Sequence, residues 1–119
     1  DVTGFGLIGH LKEMLSNTYS AILHLDKIPY FEGAKVYFEN GFVPEGSYKN
    51  KQELGKRTKI EDDFMNTLLF DAQTSGGLLL SVNENIADEI LQETKNAGFG
   101  EAQIIGQVEQ REKQEIIGI

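Results

Sequence analysis

The sequence contains no cysteine and only two prolines among its 119 residues. Without cysteine, the chain has no disulfide, no thiolate nucleophile and no cysteine metal site, so secretion is not indicated and thiol chemistry cannot come from it. No apolar run approaches the roughly 20 residues that are needed to cross a bilayer, and the first residues do not form a basic-then-apolar leader. We therefore expect a soluble, cytoplasmic domain.

Positive charge is also scarce, because 11 basic residues face 19 acidic ones and give a formal net charge of -8. Nucleic acid and anionic membranes require clustered Lys and Arg, so we expect neither as a partner. The denser group of basic side chains at 49–59 is followed at once by Glu61, Asp62 and Asp63. We interpret the basic stretch as a solvated loop and the acidic residues as charges that stabilise a helix N-terminus.

Apolar residues recur with helical spacing in several segments. Leu7, Ile8, Leu11, Met14 and Leu15 share one face, and Ile86, Ile90 and Leu91 share another. With Asn83 or Asn85 and the glycines Gly41 and Gly98 as end signals, the pattern predicts four helices, at 4–17, 31–40, 64–69 and 85–97. The segment 42–59 shows neither a helical nor a strand period, and we expect a long loop there.

Strands are indicated by alternating or continuous apolar residues between these helices. Segment 20–25 alternates, and segment 78–82 is the nearly continuous apolar run expected of a strand covered on both faces. Segments 103–108 and 115–119 are predicted to pair as a hairpin through a turn at 109–113. Strands interleaved with amphipathic helices predict a single mixed α/β (α+β) layered domain.

A first candidate motif is formed by Gly4, Gly6 and Gly9, which spell G-x-G-x-x-G, with Asp26 further along. Such a pattern can mark a dinucleotide site, but it then follows a full strand, and only three residues precede Gly4 here. We therefore set the dinucleotide interpretation aside.

Two interpretations of the first residues stay open. In one, Thr3 caps the first helix and the glycines let its first turn pack closely against another segment. In the other, the carboxylate of Asp1 holds a cation while the helix amides face an anion.

The second candidate motif is the segment 71–77, which combines a carboxylate, an amide, two hydroxyls and two glycines before an apolar run. Thr74, Ser75 and the amides near Gly76 and Gly77 would form an anion-binding concavity if the glycines adopt positive φ. The alternative is a tight turn with local side-chain hydrogen bonds.

Taken together, segments 1–11 and 73–79 resemble the two signature segments of the selenophosphate synthetase family, also called selenide, water dikinase. Matches at 25–26, 28–29, 41–44, Asn50 and 105–108 follow in the family's order, so the resemblance covers essentially the whole chain. The chain departs from the pattern at Ala72, where the family usually has proline.

The resemblance implies a fold and an activity. It implies that residues 1–119 form the C-terminal domain of a two-domain enzyme related to aminoimidazole ribonucleotide synthetase (PurM-like). That domain is a three-layer α/β/α arrangement with partial ferredoxin-like topology. The family converts ATP, selenide and water into selenophosphate, AMP and phosphate with Mg²⁺. We expect the N-terminal domain as partner and a homodimer of the full-length enzyme.

The resemblance also assigns site residues. Asp1 matches an acid of the metal site. No catalytic residue is expected in this chain, because the family's Cys or selenocysteine, its Lys and the other metal-binding acids lie in the N-terminal domain. The candidates for positions near phosphate or substrate are Thr3, Gly4, Gln73, Thr74, Ser75, Gly76 and Gly77.

Alternative functions and several structural assignments complete the expectations. The chain could belong to another PurM-like ATP-dependent enzyme, or be a stand-alone binding or oligomerisation module. We expect His10 to be structural and His24 to bind no zinc, because no second His or Cys lies at metal spacing. The aromatic residues Phe31, Tyr37, Phe38 and Phe42 are expected in the core.

Overall fold

The computed structural model describes residues 1–119 and shows a mixed α/β domain built on a four-stranded sheet, which confirms the predicted fold class. The elements, in chain order, are α1 (Gly6–Leu15), β1 (Tyr19–Leu23), a 3-10 turn (Leu25–Lys27), α2 (Ala34–Glu39), α3 (Glu45–Leu54), β2 (Thr58–Lys59), α4 (Asp63–Leu68), α5 (Glu84–Asn96), β3 (Gly106–Gln110) and β4 (Ile116–Gly118). The strand order is β2-β4-β1-β3. No helix combines the length and the apolar character that a membrane span requires.

The hydrophobic core lies between α1, α4 and one face of the sheet. The apolar face predicted for α1 is buried through Ile8, Leu11 and Leu15, and it meets Ala21 and Leu23 of β1. Phe70 and Ile116 are fully buried in the same cluster. Burying one such large apolar side chain contributes about 1.5–3 kcal/mol, so this packing is what holds the segment after α4 close to α1.

The predicted helix ends are confirmed at several positions. Asp62 caps α4, because its carboxylate accepts a hydrogen bond from the Met65 amide at 2.8 Å. Asn83 caps α5 in the same way through the Asn85 amide. Gly41 and Gly98 follow α2 and α5 with φ of 81° and 105°, the left-handed conformation that glycine adopts without strain.

The long loop expected at 42–59 is wrong, because this segment contains the ten-residue helix α3 and the short strand β2. The helix was missed because its buried residues are polar: Ser47 and Asn50 face inward. A polar buried face leaves no apolar period in the sequence. The basic side chains therefore lie on α3 and just after it rather than in a loop, and most of them are exposed.

The strand expected at 78–82 is also wrong. The segment has no ladder partner, and Leu78 and Leu80 are 77% and 61% exposed. The apolar run indicated burial on both faces, but this chain supplies no neighbouring strand for it. Helix α5, which follows, likewise has no buried residue.

The hairpin expected between the last two strands is wrong, because β1 lies between β3 and β4. β1 pairs antiparallel with β3 and parallel with β4. The connection crosses the start of β1, where the buried hydroxyl of Ser20 donates to the Lys113 carbonyl at 3.0 Å and accepts from the Glu115 amide at 2.8 Å. These two bonds fix the path of the connection.

The aromatic residues expected in the core are mostly at the surface. Phe31 is 87% exposed, and Tyr37 and Phe42 contact each other edge to face while both stay exposed. Only Phe38 packs against the core, with its ring 5.5 Å from that of Phe64. The prediction failed because α2 is a short peripheral helix without a buried residue.

Candidate functional site

The two motif segments meet through their main chains. The Val2 amide donates to the Gly77 carbonyl at 2.9 Å, and the Gln73 amide donates to the Thr3 carbonyl at 3.0 Å. One turn further, the Ile8 amide donates to the Leu69 carbonyl at 3.0 Å. Residues 1–8 and 69–77 therefore form one continuous surface, although more than sixty positions separate them in the sequence.

Glycines make this close approach possible. Gly6 has a φ of 67°, and a Cβ built there would lie 2.6 Å from the Phe70 carbonyl carbon. A Cβ on Gly76 would collide with the Val2 carbonyl oxygen, and one on Gly9 would collide with the Phe5 side chain. The predicted close packing of the first turn is confirmed at Gly6 but not at Gly4, where a Cβ would meet no atom within 4 Å. Gly6 and Gly9 are therefore required by packing against neighbouring segments.

One of the two interpretations of segment 71–77 required positive φ at Gly76 and Gly77, and neither glycine has it. The glycines with positive φ are Gly6, Gly33, Gly41 and Gly98. At Gly76 the glycine is required by the adjacent Val2 carbonyl instead.

Helix α3 binds both segments of this joint, by which we mean the contact between residues 1–8 and 69–77. It does so through two polar side chains that the sequence analysis did not assign to the site. The Asn50 amide nitrogen donates to the carbonyls of Gly4 at 2.8 Å and Phe70 at 2.9 Å, one from each motif region. The Ser47 hydroxyl donates to Asp71 Oδ1 at 2.6 Å. Small polar residues three positions apart inside an otherwise charged stretch are the signal that could have revealed this buried face.

Replacing Asn50 with alanine is expected to lower the free energy of unfolding by about 1–3 kcal/mol, because the buried Phe70 carbonyl loses its donor while the partly buried Gly4 carbonyl can bind water instead. Equilibrium denaturant unfolding measures the change. Asn40→Ala is the control, since that exposed side chain donates only to the Val36 carbonyl of its own helix. Equal losses for the two variants would contradict the role assigned to Asn50.

Asp71 is oriented rather than free. Besides the Ser47 bond, its Oδ2 accepts from Gln73 Nε2 at 3.2 Å. Asp71 and Gln73 therefore form the local side-chain hydrogen bonds of a tight turn, which supports the structural interpretation for the first half of segment 71–77. In the second half, Thr74 and Ser75 are exposed.

Thr3 does not cap α1, contrary to one of the two expectations. Phe5 occupies the N-cap position and no side chain bonds there. Instead, Thr3 Oγ1 lies 3.0 Å from His10 Nε2, and His10 Nδ1 lies 2.9 Å from Glu13 Oε2. His10 thus connects the first motif to the exposed face of α1.

Asp1 is exposed at the edge of this surface. No group of three or more His, Cys, Asp or Glu side chains in the chain is arranged to hold a metal ion. The exposed carboxylate of Asp1 is an oxygen donor of the kind Mg²⁺ takes, but Mg²⁺ requires six ligands. One exposed carboxylate can supply at most one of those ligands, so this chain alone does not build a magnesium site.

Charges away from this surface have other partners. Burial, with a smaller contribution from Arg57, lowers the pKa of Lys12, whose ammonium donates to the Lys56 carbonyl. Lys59, with a smaller contribution from Arg111, lowers the pKa of the Glu115 carboxyl. Neither Lys12 nor Glu115 contacts the surface formed by the two motif segments.

A comparison of the sequence with protein families gives a match over the whole chain. The family model described as "AIR synthase related protein, C-terminal domain" matches residues 1–119. The chain belongs to this family. Both motif segments therefore lie within a domain of this family.

Several curated relatives share one name. The chain is 40% identical over 117 residues to selenide, water dikinase of Campylobacter jejuni, and 42% identical over 120 residues to selenide, water dikinase of Caldanaerobacter subterraneus. A third relative of that name, from Clostridioides difficile, is 39% identical over 112 residues. These matches cover 98%, 98% and 91% of this chain but only 34%, 35% and 32% of the relatives, so the chain spans about a third of their length.

Proposed function

We propose that this chain is the C-terminal domain of a selenide, water dikinase, whose whole protein converts ATP, selenide and water into selenophosphate, AMP and phosphate. The observation that carries the proposal is the joining of the two motif segments at one surface by the Val2–Gly77 and Thr3–Gln73 bonds, in a chain whose relatives bear that name.

Magnesium is the cofactor that this proposal includes, and Asp1 is the ligand from this chain. When bound, the ion neutralises phosphate charge and orients the phosphate oxygens. The α1 N-terminus alone would repel a bare cation, so an acid beside it is suited to a cation that arrives with phosphate. The remaining protein ligands would come from an N-terminal domain.

The residues proposed near the phosphates are Thr3, Gly4, Gln73, Thr74, Ser75, Gly76 and Gly77. The exposed hydroxyls of Thr74 and Ser75 make no hydrogen bond with another side chain that would occupy them, so they are available as donors to phosphate oxygens. Gln73 is committed to Asp71 through its side chain and to Thr3 through its amide, so its proposed role is to hold the turn in place.

The proposal also includes the binding partners of the domain and its location in the cell. The N-terminal domain of the same protein would close the site, the whole enzyme would form a homodimer, and the reaction would take place in the cytoplasm. The net charge of -8 supports the absence of a nucleic-acid partner.

The purified 119-residue chain is expected to form no AMP from ATP, because it carries one motif acid and no catalytic residue, whereas the whole protein should form AMP only when selenide is present. The measurement is AMP production by chromatography for both proteins, with and without selenide. Selenide-dependent AMP formation by the chain alone would contradict the proposal that the catalytic residues lie in another domain. Turnover by the whole protein without selenide would instead favour another ATP-dependent enzyme of this superfamily.

A further inference from the structure

Thr3, His10 and Glu13 form a hydrogen-bonded series along the first turns of α1. The Thr3 hydroxyl oxygen is 3.0 Å from His10 Nε2, and His10 Nδ1 is 2.9 Å from Glu13 Oε2. The His10 side chain is 17% exposed, and its ring packs against that of Phe5 with 5.6 Å between centroids. The two hydrogen bonds and the contact with Phe5 therefore hold the His10 ring in a fixed orientation.

When the His10 ring is neutral, the Glu13 carboxylate sets the direction of both hydrogen bonds. An ionised carboxylate only accepts hydrogen bonds, so the proton on a neutral ring must sit on Nδ1 and point to Glu13. Nε2 then carries a lone pair and only accepts. In this neutral form the proton of the Thr3 hydroxyl points to His10, whereas a doubly protonated ring would donate to the Thr3 oxygen instead.

We infer that His10, oriented by Glu13, is a positioning residue that keeps the Thr3 hydroxyl proton turned away from the ligand, so that Thr3 presents only oxygen lone pairs to the site. This inference rests on the proposed function, because it gives Thr3 a share in binding the magnesium ion or its bound water. It also separates Thr3 from Thr74 and Ser75, whose hydroxyls stay free to donate to phosphate.

A nuclear magnetic resonance experiment on the 119-residue chain tests the hydrogen-bond direction without any activity. Long-range proton–nitrogen correlation spectra of the neutral His10 ring are expected to show the tautomer with the proton on Nδ1. In Glu13→Ala, whose side chain is exposed and lies outside the core, the tautomer with the proton on Nε2 is expected to increase. A parent spectrum with the proton on Nε2 would overturn the inference, whatever the whole protein does.

Kinetics of the whole protein test the consequence for magnesium. His10→Phe keeps a ring beside Phe5 but removes the acceptor, and should raise the Mg²⁺ concentration for half-maximal rate about ten- to a hundredfold, the cost typical of losing a group that orients a metal ligand. His10→Gln, whose side-chain carbonyl reaches roughly the position of Nε2, should recover much of this loss. Thr3→Ser should resemble the parent and Thr3→Val should resemble His10→Phe.

The control is His24→Phe, at a position just after β1 and outside the series. Unchanged magnesium dependence in both His10→Phe and Thr3→Val would overturn the inference. Absence of selenide-dependent turnover in the parent would overturn the proposed function instead, and the tautomer measurement would still decide the direction of the Thr3 bond.

Discussion

Replacing Asp1 with asparagine in the whole protein is expected to lower the rate of AMP formation by about a hundredfold or more. Asparagine keeps the size of the side chain but removes its charge, and Mg²⁺ prefers carboxylate and phosphate oxygens. Losing a group that merely orients a metal ligand already costs about ten- to a hundredfold, so losing the ligand itself should cost at least as much. The rate is measured with saturating ATP and selenide over a range of Mg²⁺ concentrations.

Stability should separate a ligand from a structural residue. Asp1 is exposed and makes no ion pair, so thermal unfolding of the variant should match that of the parent. Asp26→Asn is the matched control, because that carboxylate is also exposed and pairs only with its neighbour Lys27 at 3.8 Å. Near-parental turnover of Asp1→Asn would reduce Asp1 to a boundary residue and would remove the metal assignment.

Gly6→Ala is expected to lower the free energy of unfolding by about 2–5 kcal/mol. Its φ of 67° costs an L-residue about 1–2 kcal/mol, and crowding in a packed interior adds about 1–3 kcal/mol. The new methyl group would lie 2.6 Å from the Phe70 carbonyl carbon and 2.9 Å from the carbonyl oxygens of Leu69 and Asp71. These atoms are main chain and cannot rotate away, so the joint between the motif segments would have to open.

Gly4→Ala is the matched control for this variant, since a Cβ there meets no atom within 4 Å and its φ is not positive. Its free energy of unfolding should stay within about 0.5 kcal/mol of the parent, as for an ordinary surface substitution. Denaturant unfolding followed by circular dichroism compares the two. A loss in Gly4→Ala as large as that in Gly6→Ala would show that the glycines act through chain flexibility rather than through close approach.

Elements with a local signal could be predicted from the sequence. α1 and α5 have apolar residues at helical spacing, and α5 has the further signals of Asn83 and Gly98 at its ends. α3 has no such signal, because Ser47 and Asn50 occupy the buried face on which a periodicity argument expects apolar residues. A helix whose inner face binds main-chain carbonyls cannot be distinguished from a loop by hydropathy.

Pairing between distant segments could not be predicted from the sequence. Neighbouring strands in sequence are often neighbours in a sheet, and this tendency favoured a hairpin between β3 and β4. In the structure β1 lies between β3 and β4 instead. The buried hydroxyl of Ser20, at the start of β1, binds the segment that connects the two strands. Nothing local to residues 109–113 contains that information.

For the site, the sequence identified the two motif segments but not the reasons for their residues. One interpretation of the second motif gave Gly76 a positive φ, whereas its actual constraint is the Val2 carbonyl, which lies about seventy residues earlier. Ser47 was missed because its role depends on Asp71, a contact between elements that share no local pattern.

The exposed segment 78–82 has a consequence for how the chain behaves in concentrated solution. Its residues are nearly all apolar, carry no charge and include no proline, and their backbone groups have no ladder partner. Short segments of this kind are templates for strand-to-strand association between copies, whereas charges or prolines at such edges prevent it. The mutual repulsion that a net charge of -8 creates opposes such association, and we expect added salt, which screens that repulsion, to favour it.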